Sequence, residues 1–244
     1  MSKSTFFESS RKTFDSGLRE YMLQIYNYMC AALAISAVCA YSCAKIPLFT
    51  SIFYNVAPNG MIIGLSGLGL LAVFSPIAIS LYFFFQIGRM NIETAQTLFW
   101  AYAACTGVSL SSLGFIYTDA SIAKTFLITA STFGAMSIYG YSTKKDLTSM
   151  GSFMMMGLIG VVIASLFNLF MQSTALDFAL SIVGICIFLG LTAYDTQKLK
   201  EFYYRSGGGE YGQKMAIVGA FTLYLDFINL FVYLIRFLGV RKSE

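Results

Sequence analysis

The sequence predicts an all-α membrane protein, a seven-transmembrane helical bundle, on three observations. Hydrophobic residues fill 57% of its 244 positions and charged residues only 11%, where a soluble domain carries about 25% charged residues. The apolar residues gather into seven segments, each of about 18 to 25 residues, the length that crosses about 30 Å of hydrocarbon. The sixteen lysines and arginines lie mostly in the short linkers between those segments. The net charge of +4 is therefore a topology signal and gives no reason to expect nucleic-acid binding.

Residues 1–20 are polar and mixed in charge, without the basic start, short apolar core and small-residue cleavage site of a secretory signal. They are expected to remain as a cytoplasmic N-terminal segment. A single transmembrane domain is expected over 21–239, followed by a short basic tail, 240–244. The first span covers about Met22 to Ala44, where Ala32, Ser36 and Ala40 offer a close-packing face. A loop with Pro47 and Pro58 follows, from Lys45 to Asn59. The second span, Met61 to Phe85, is expected to bend at Ser75-Pro76, where a backbone donor is missing.

Arg89 and Glu93 mark a polar break before the third span, about Ala95 to Tyr117, and the fourth, Ser121 to Tyr141. The fourth carries a hydroxyl row at Ser121, Thr125, Thr129 and Thr132. Such a row more often bonds a neighbouring helix or its own backbone than lines a pore. After Lys144, Lys145 and Asp146 come the fifth span, Phe153 to Phe170, and the turn Gln172 to Asp177. The sixth begins near Leu176 or Phe178 and ends at Tyr194 or one turn beyond. The stretch KLKEFYYRSGGGEYGQK reads as a linker with Gly207 to Gly209 as its flexible point. The seventh segment, Ile217 to Leu238, reads as the least hydrophobic.

Assigned to alternate sides, eleven basic residues fall on the N-terminal side and Lys45 and Lys124 on the other, before Arg236, Arg241 and Lys242 are placed. The bias puts the N-terminus inside. Those last three residues then lie outside if the seventh segment spans, or inside if it re-enters; seven spans is the expectation carried forward. The five cysteines lack CxxC spacing and sit almost wholly in apolar segments, as small apolar fillers do. No histidine is present, which removes the common zinc, haem and serine-triad chemistries and the usual side chain titrating near neutral pH.

Two acids stand inside the last two segments, Asp195 in TAYDTQKLK and Asp226 in LYLDFINLF. An aspartate at mid-membrane costs about 2.5 to 3.5 kcal/mol on insertion scales, so such residues face a bundle interior or a water path and find a partner. Each is the other's natural partner. Thr222, Asp226, Asn229 and Tyr233 fall on one stripe of the seventh helix. Two carboxyls side by side in low dielectric share one proton and titrate as a pair. Protonated, the pair latches two helices; doubly ionised, it repels itself and invites a cation. The available ligands are oxygens, so the cation is hard, and two carboxylates with Asn229, Thr222 and water make an incomplete calcium cage. Weak binding at Asp195 and Asp226 suits passage, with Asn229 and Thr222 along the ion's path. One obstacle stands against contact. Asp226 lies roughly 13 Å into its segment, whereas Asp195 sits about a turn from the end of its own.

TAYDTQKLK, LYLDFINLFVYLIRFLG and TFGAMSIYGYSTKKDL resemble signatures of the Bax-inhibitor family of membrane proteins, its bacterial branch in particular. The similarity extends from about Tyr21 to Gly239. The resemblance implies a central C-terminal helix wrapped by six others and a pH-sensitive calcium leak governed by Asp195 and Asp226. It also implies an arginine after the second helix that latches onto the first of these aspartates, for which Arg89 is the candidate. Placement in a bacterial inner membrane follows, with the lipid bilayer as surroundings, calcium as the permeating ion and no tightly bound cofactor.

Three functional classes compete. The first is a passive, proton-regulated cation leak, and the expectation is that the protein is not an enzyme. The second, implied by the resemblance, is a regulatory protein that binds a membrane-bound protease or cell-death factors, using residues 1–20 or the 198–216 linker. The third, intramembrane aspartyl proteolysis, is disfavoured because bulky Leu223-Tyr224-Leu225 precedes Asp226 where a substrate backbone would have to approach.

Overall fold

The computed structural model describes residues 3–58, 61–206 and 209–242. Apart from one short hairpin it is built of helices. Among the described residues six are long and apolar enough to cross a membrane: Ser16–Lys45, Gly67–Gln86, Ile92–Ile116, Thr148–Met171, Thr174–Arg205 and Gly212–Leu238.

Helix α1, Lys3–Lys45, joins the polar N-terminal segment and the first span in one continuous element. No proline occurs before Pro47. Ile46 ends the helix because the ring of Pro47 pushes the preceding residue into extended geometry, here φ −98° and ψ 113°. The expected loop is more ordered than the sequence suggested. Helix α2, Pro47–Phe53, leads into β1, Tyr54–Val56, paired antiparallel with β2, Ile62–Leu65. Asn59 lies outside the described residues. The second span therefore starts at Gly67, later than expected, where Ser66 caps α3 (Gly67–Gln86) by accepting from the Gly69 amide at 3.0 Å.

Pro76 lies within α3, and the helix continues through it. Proline supplies no N–H for the Ala72 carbonyl one turn back. The hydroxyls of Ser75 (3.2 Å) and of Ser109 on the next helix (3.3 Å) donate to that carbonyl instead. Helices α4 (Ile92–Leu110), α5 (Leu113–Ile116) and α6 (Asp119–Ser142) follow. The hydroxyl row of α6 is turned inward, with Thr125 and Thr129 buried. Thr129 and Thr132 donate to their own helix, to the carbonyls of Thr125 and Ile128. Helices α7 (Thr148–Met171), α8 (Thr174–Ser206) and α9 (Gly209–Leu238) complete the chain.

The chain falls into two compact units, and α1 and α6 contribute to both. One unit comprises α1 up to Tyr28, α6 from Thr125, and α7, α8 and α9; within it α8 packs along both α7 and α9. Gln197 on α8 binds the α6–α7 connection at two points, accepting from the Leu147 amide and donating to the Lys145 carbonyl, each at 2.8 Å. The other unit holds residues 29–124 and the tail 239–244. In it Ser36 donates to the Ala103 carbonyl at 2.7 Å, which places the expected small-residue face of α1 against α4. Residues 239–242 meet the α5–α6 connection, with one antiparallel bridge between Tyr117 and Arg241. The Val240 amide bonds Ser121 Oγ, the Thr118 amide bonds the Val240 carbonyl, and the Lys242 amide bonds the Ile116 carbonyl.

Candidate functional site

Asp195 and Asp226 are brought together by a helix longer than the sequence suggested. Instead of ending at Tyr194 or one turn beyond, α8 runs to Ser206 and leaves about three turns beyond Asp195. Lys198 to Arg205 contains no glycine or proline, and its lysines, leucine and glutamate favour helix. This corrects the expected 198–216 linker, since α9 already starts at Gly209; Gly207 and Gly208 lie outside the described residues.

Two close approaches fix the antiparallel register of α8 and α9. At one end Gly184 receives the ring of Tyr233, where a Cβ would stand 2.7 Å from ring carbons. At the other, Gly219 receives Leu199, where a Cβ would stand 2.6 Å from Leu199 Cδ2. Absent side chains at these two points let the helices meet over the stretch between them. There the Asp195 and Asp226 carboxyls come within hydrogen-bonding reach of each other. Asp226 is only 4% exposed, while Asp195 is half-buried.

Among the described residues Asp226 Oδ2 meets no hydrogen-bond donor from the protein. Two carboxylates are acceptors only, so a hydrogen bond between them forms only when one carries a proton. The nearby cation is Lys198, one turn along α8 and close enough to act electrostatically on Asp195. Its ammonium sits 5.6 Å from the centre of the Tyr194 ring.

The neutral members of the predicted stripe are occupied. Thr222 Oγ1 donates to the Val218 carbonyl at 3.1 Å and Asn229 Nδ2 to the Leu225 carbonyl at 2.8 Å, each on its own helix. The stripe is also not the sole inward face of α9, because Leu223, Tyr224, Phe227 and Leu230 are buried too. Among the described residues no three His, Cys, Asp or Glu side chains gather as a metal cluster. Arg89 is exposed in the turn after α3 and belongs to the other unit.

Residues 18–243 match the model of the family described as inhibitor of apoptosis-promoting Bax1. The chain belongs to the Bax inhibitor family. This family member is similar to an uncharacterized protein of Rickettsia prowazekii, 56% identical over 236 residues that cover 96% of this chain and 95% of that one. It is also similar to the inner membrane protein YbhL of Escherichia coli, 41% identical over 230 residues covering 93% of this chain and 94% of the relative. An uncharacterized Caulobacter vibrioides protein is 42% identical over 230 residues, covering 94% and 92%. As a Bax inhibitor family chain it is an integral, multi-pass membrane protein.

Sequence reasoning found the two acids and missed what positions them. Gln197 stands two residues from Asp195 in the same motif, yet its clamp on residues 145–147 needed a partner 50 positions upstream. Gly184 and Gly219 look like ordinary membrane glycines until the side chains opposite them are known.

Proposed function

We propose that this Bax inhibitor family protein is a passive cation leak, calcium its chief permeating ion, regulated by the proton that Asp195 and Asp226 share. The observation that carries the reading is the meeting of the two carboxyls on adjacent apolar helices, one fully enclosed and the other half-open. With its shared proton the pair joins α8 to α9; without it, two like charges face each other in low dielectric and attract a hard cation. Two carboxylates backed by side chains already bonded to their own helix hold such an ion loosely, as transit demands. Calcium is thus cargo, and no resident cofactor is part of the proposal.

The reading includes seven spans, with α6 as the crossing whose hydroxyls lower its apolarity, and with α9 at the centre. In support of the latter, 61% of the most apolar stretch of α9 is buried against 39% or less in the other five long apolar helices. In support of the former, the C-terminal tail bonds to residues 116–121, the connection next to which Lys45 pairs with Asp119. A tail on the side of the first loop requires an odd number of crossings from the N-terminus. Together with the lysine bias, this supports reading the N-terminus as cytoplasmic in a bacterial inner membrane and the tail as outside. Proteolysis is set aside because buried Leu223 and Tyr224 crowd the approach to Asp226.

Protein reconstituted into liposomes loaded with a calcium dye tests this. The wild type is expected to leak with a strong dependence on pH, and Asp195→Asn and Asp226→Asn to flatten it. If both variants keep the wild-type profile, the pair is a packing device and the regulatory-binding reading takes its place.

A further inference from the structure

On the leak reading, an ion at the aspartate pair needs a way to the cytoplasm, and the face of α8 and α9 on that side is closed by a particular set of side chains. Leu199 lies one turn beyond Asp195 on the same face of α8, and Gly219 two turns before Asp226 on the same face of α9. Leu199 is folded onto Gly219, and Ile25 of α1 reaches the same point, its Cδ1 placed 3.2 Å from where a Gly219 Cβ would be. Ile25 is completely buried. One further turn along each helix come Tyr203 on α8 and Tyr21 on α1, their ring centres 5.2 Å apart. Tyr21 is 6% exposed, and among the described residues its hydroxyl has no hydrogen-bond partner.

We propose that Ile25 and Leu199, meeting over Gly219, form a hydrophobic seal between the aspartate pair and the cytoplasm, and that the Tyr21 hydroxyl is the first water-binding group beyond it. Aliphatic constrictions of this kind stop ions by excluding the water that must accompany them. A buried hydroxyl without a protein partner has the chemistry of a group that bonds a water molecule when the constriction fills. The glycine is what allows the seal to be tight, because no side chain of α9 holds the two aliphatic tips apart. The half-buried carboxyl of Asp195 offers a rival route past Lys198 on the other flank of α8. The two routes make different predictions.

Leu199→Ala, Leu199→Asn and Tyr21→Phe are prepared as full-length protein in dye-loaded liposomes and compared at the pH of least leak. The expected result is a calcium leak raised roughly tenfold by Leu199→Asn, the change that follows from lowering a barrier by about 1.4 kcal/mol, and raised less by Leu199→Ala. The pH midpoint stays where it is and N-methylglucamine remains excluded. Tyr21→Phe is expected to keep the melting temperature and to lower the leak at the permissive pH. A second readout does not depend on conduction: the rate at which a water-soluble carbodiimide with glycinamide modifies Asp226, expected to rise in both Leu199 variants. Folded Leu199 variants with wild-type leak and wild-type Asp226 modification overturn the seal, and a leak that responds to Lys198→Gln instead assigns the path to the other flank. A wild type that never leaks, with Asp226 modification still raised by Leu199→Asn, removes the conduction reading and leaves the seal standing.

Discussion

Helices α7 and α9 are both apolar spans, yet 6% of the most apolar stretch of α7 is buried against 61% of that of α9. The lipid-facing α7 exposes Phe153, Met156, Ile159, Leu166, Phe167 and Phe170 and carries no charged residue. The enclosed α9 carries Asp226 and pairs it with a second acid. Hydropathy recognises both as spans and separates neither, because lipid tails and protein interiors are equally apolar. What separates them is the polar group and the small residue: an acid is tolerated only where a partner waits, and a glycine matters only where a side chain fills its space.

The comparison breaks most visibly if an acid is moved. Ile159→Asp on the exposed face of α7 is expected to cost about 2.5 to 3.5 kcal/mol of insertion, seen as loss of membrane-integrated protein in a fractionation assay, whereas Asp226 is accommodated in the wild type. Glycines sharpen it next. Gly184→Leu must displace the Tyr233 ring and is expected to lower stability by about 1 to 3 kcal/mol. Gly160→Leu on α7, with nothing near its Cβ position, should stay within about 0.5 kcal/mol; thermal unfolding in detergent reads both. Asp226→Ala removes the carboxyl that Asp195 meets on α9 and should cost about 1 to 3 kcal/mol, while Asp226→Asn, whose amide donates to Asp195, should cost less. The smallest effect lies outside both helices. Lys45 donates to Asp119 at 2.6 Å and holds that exposed carboxyl below its ordinary range. A lowered carboxyl contributes stability at neutral pH and loses it as the solution falls below the usual carboxylate range. Asp119→Asn should therefore leave the melting temperature almost unchanged at neutral pH and remove the acid-side part of its decline.

Much of this was legible in the chain. Span positions followed from runs of apolar residues, and both acids stood out because an intramembrane charge needs a reason. The ends of elements were harder. The sixth span was expected to stop at Tyr194 or one turn beyond, where charge begins, but Lys, Leu and Glu continue a helix into water as well as into lipid, so hydropathy ended two to three turns before the helix did. The hairpin at 54–65 was hidden because its strands are three and four residues long, too short for alternation to show. The seventh segment was read as the least apolar, whereas it is α6, with its row of hydroxyls, that falls outside the set of candidate spans. Gln197 and Tyr21 could not be found at all from spacing, because their partners, or lack of them, lie on other helices.

The carbonyl freed by Pro76 also has a consequence. The Ala72 carbonyl is within reach of two hydroxyls, that of Ser75 on its own helix and that of Ser109 on α4, which also reaches the Cys105 carbonyl. The break that Pro76 makes in the backbone ladder of α3 therefore leaves no peptide carbonyl bare to hydrocarbon.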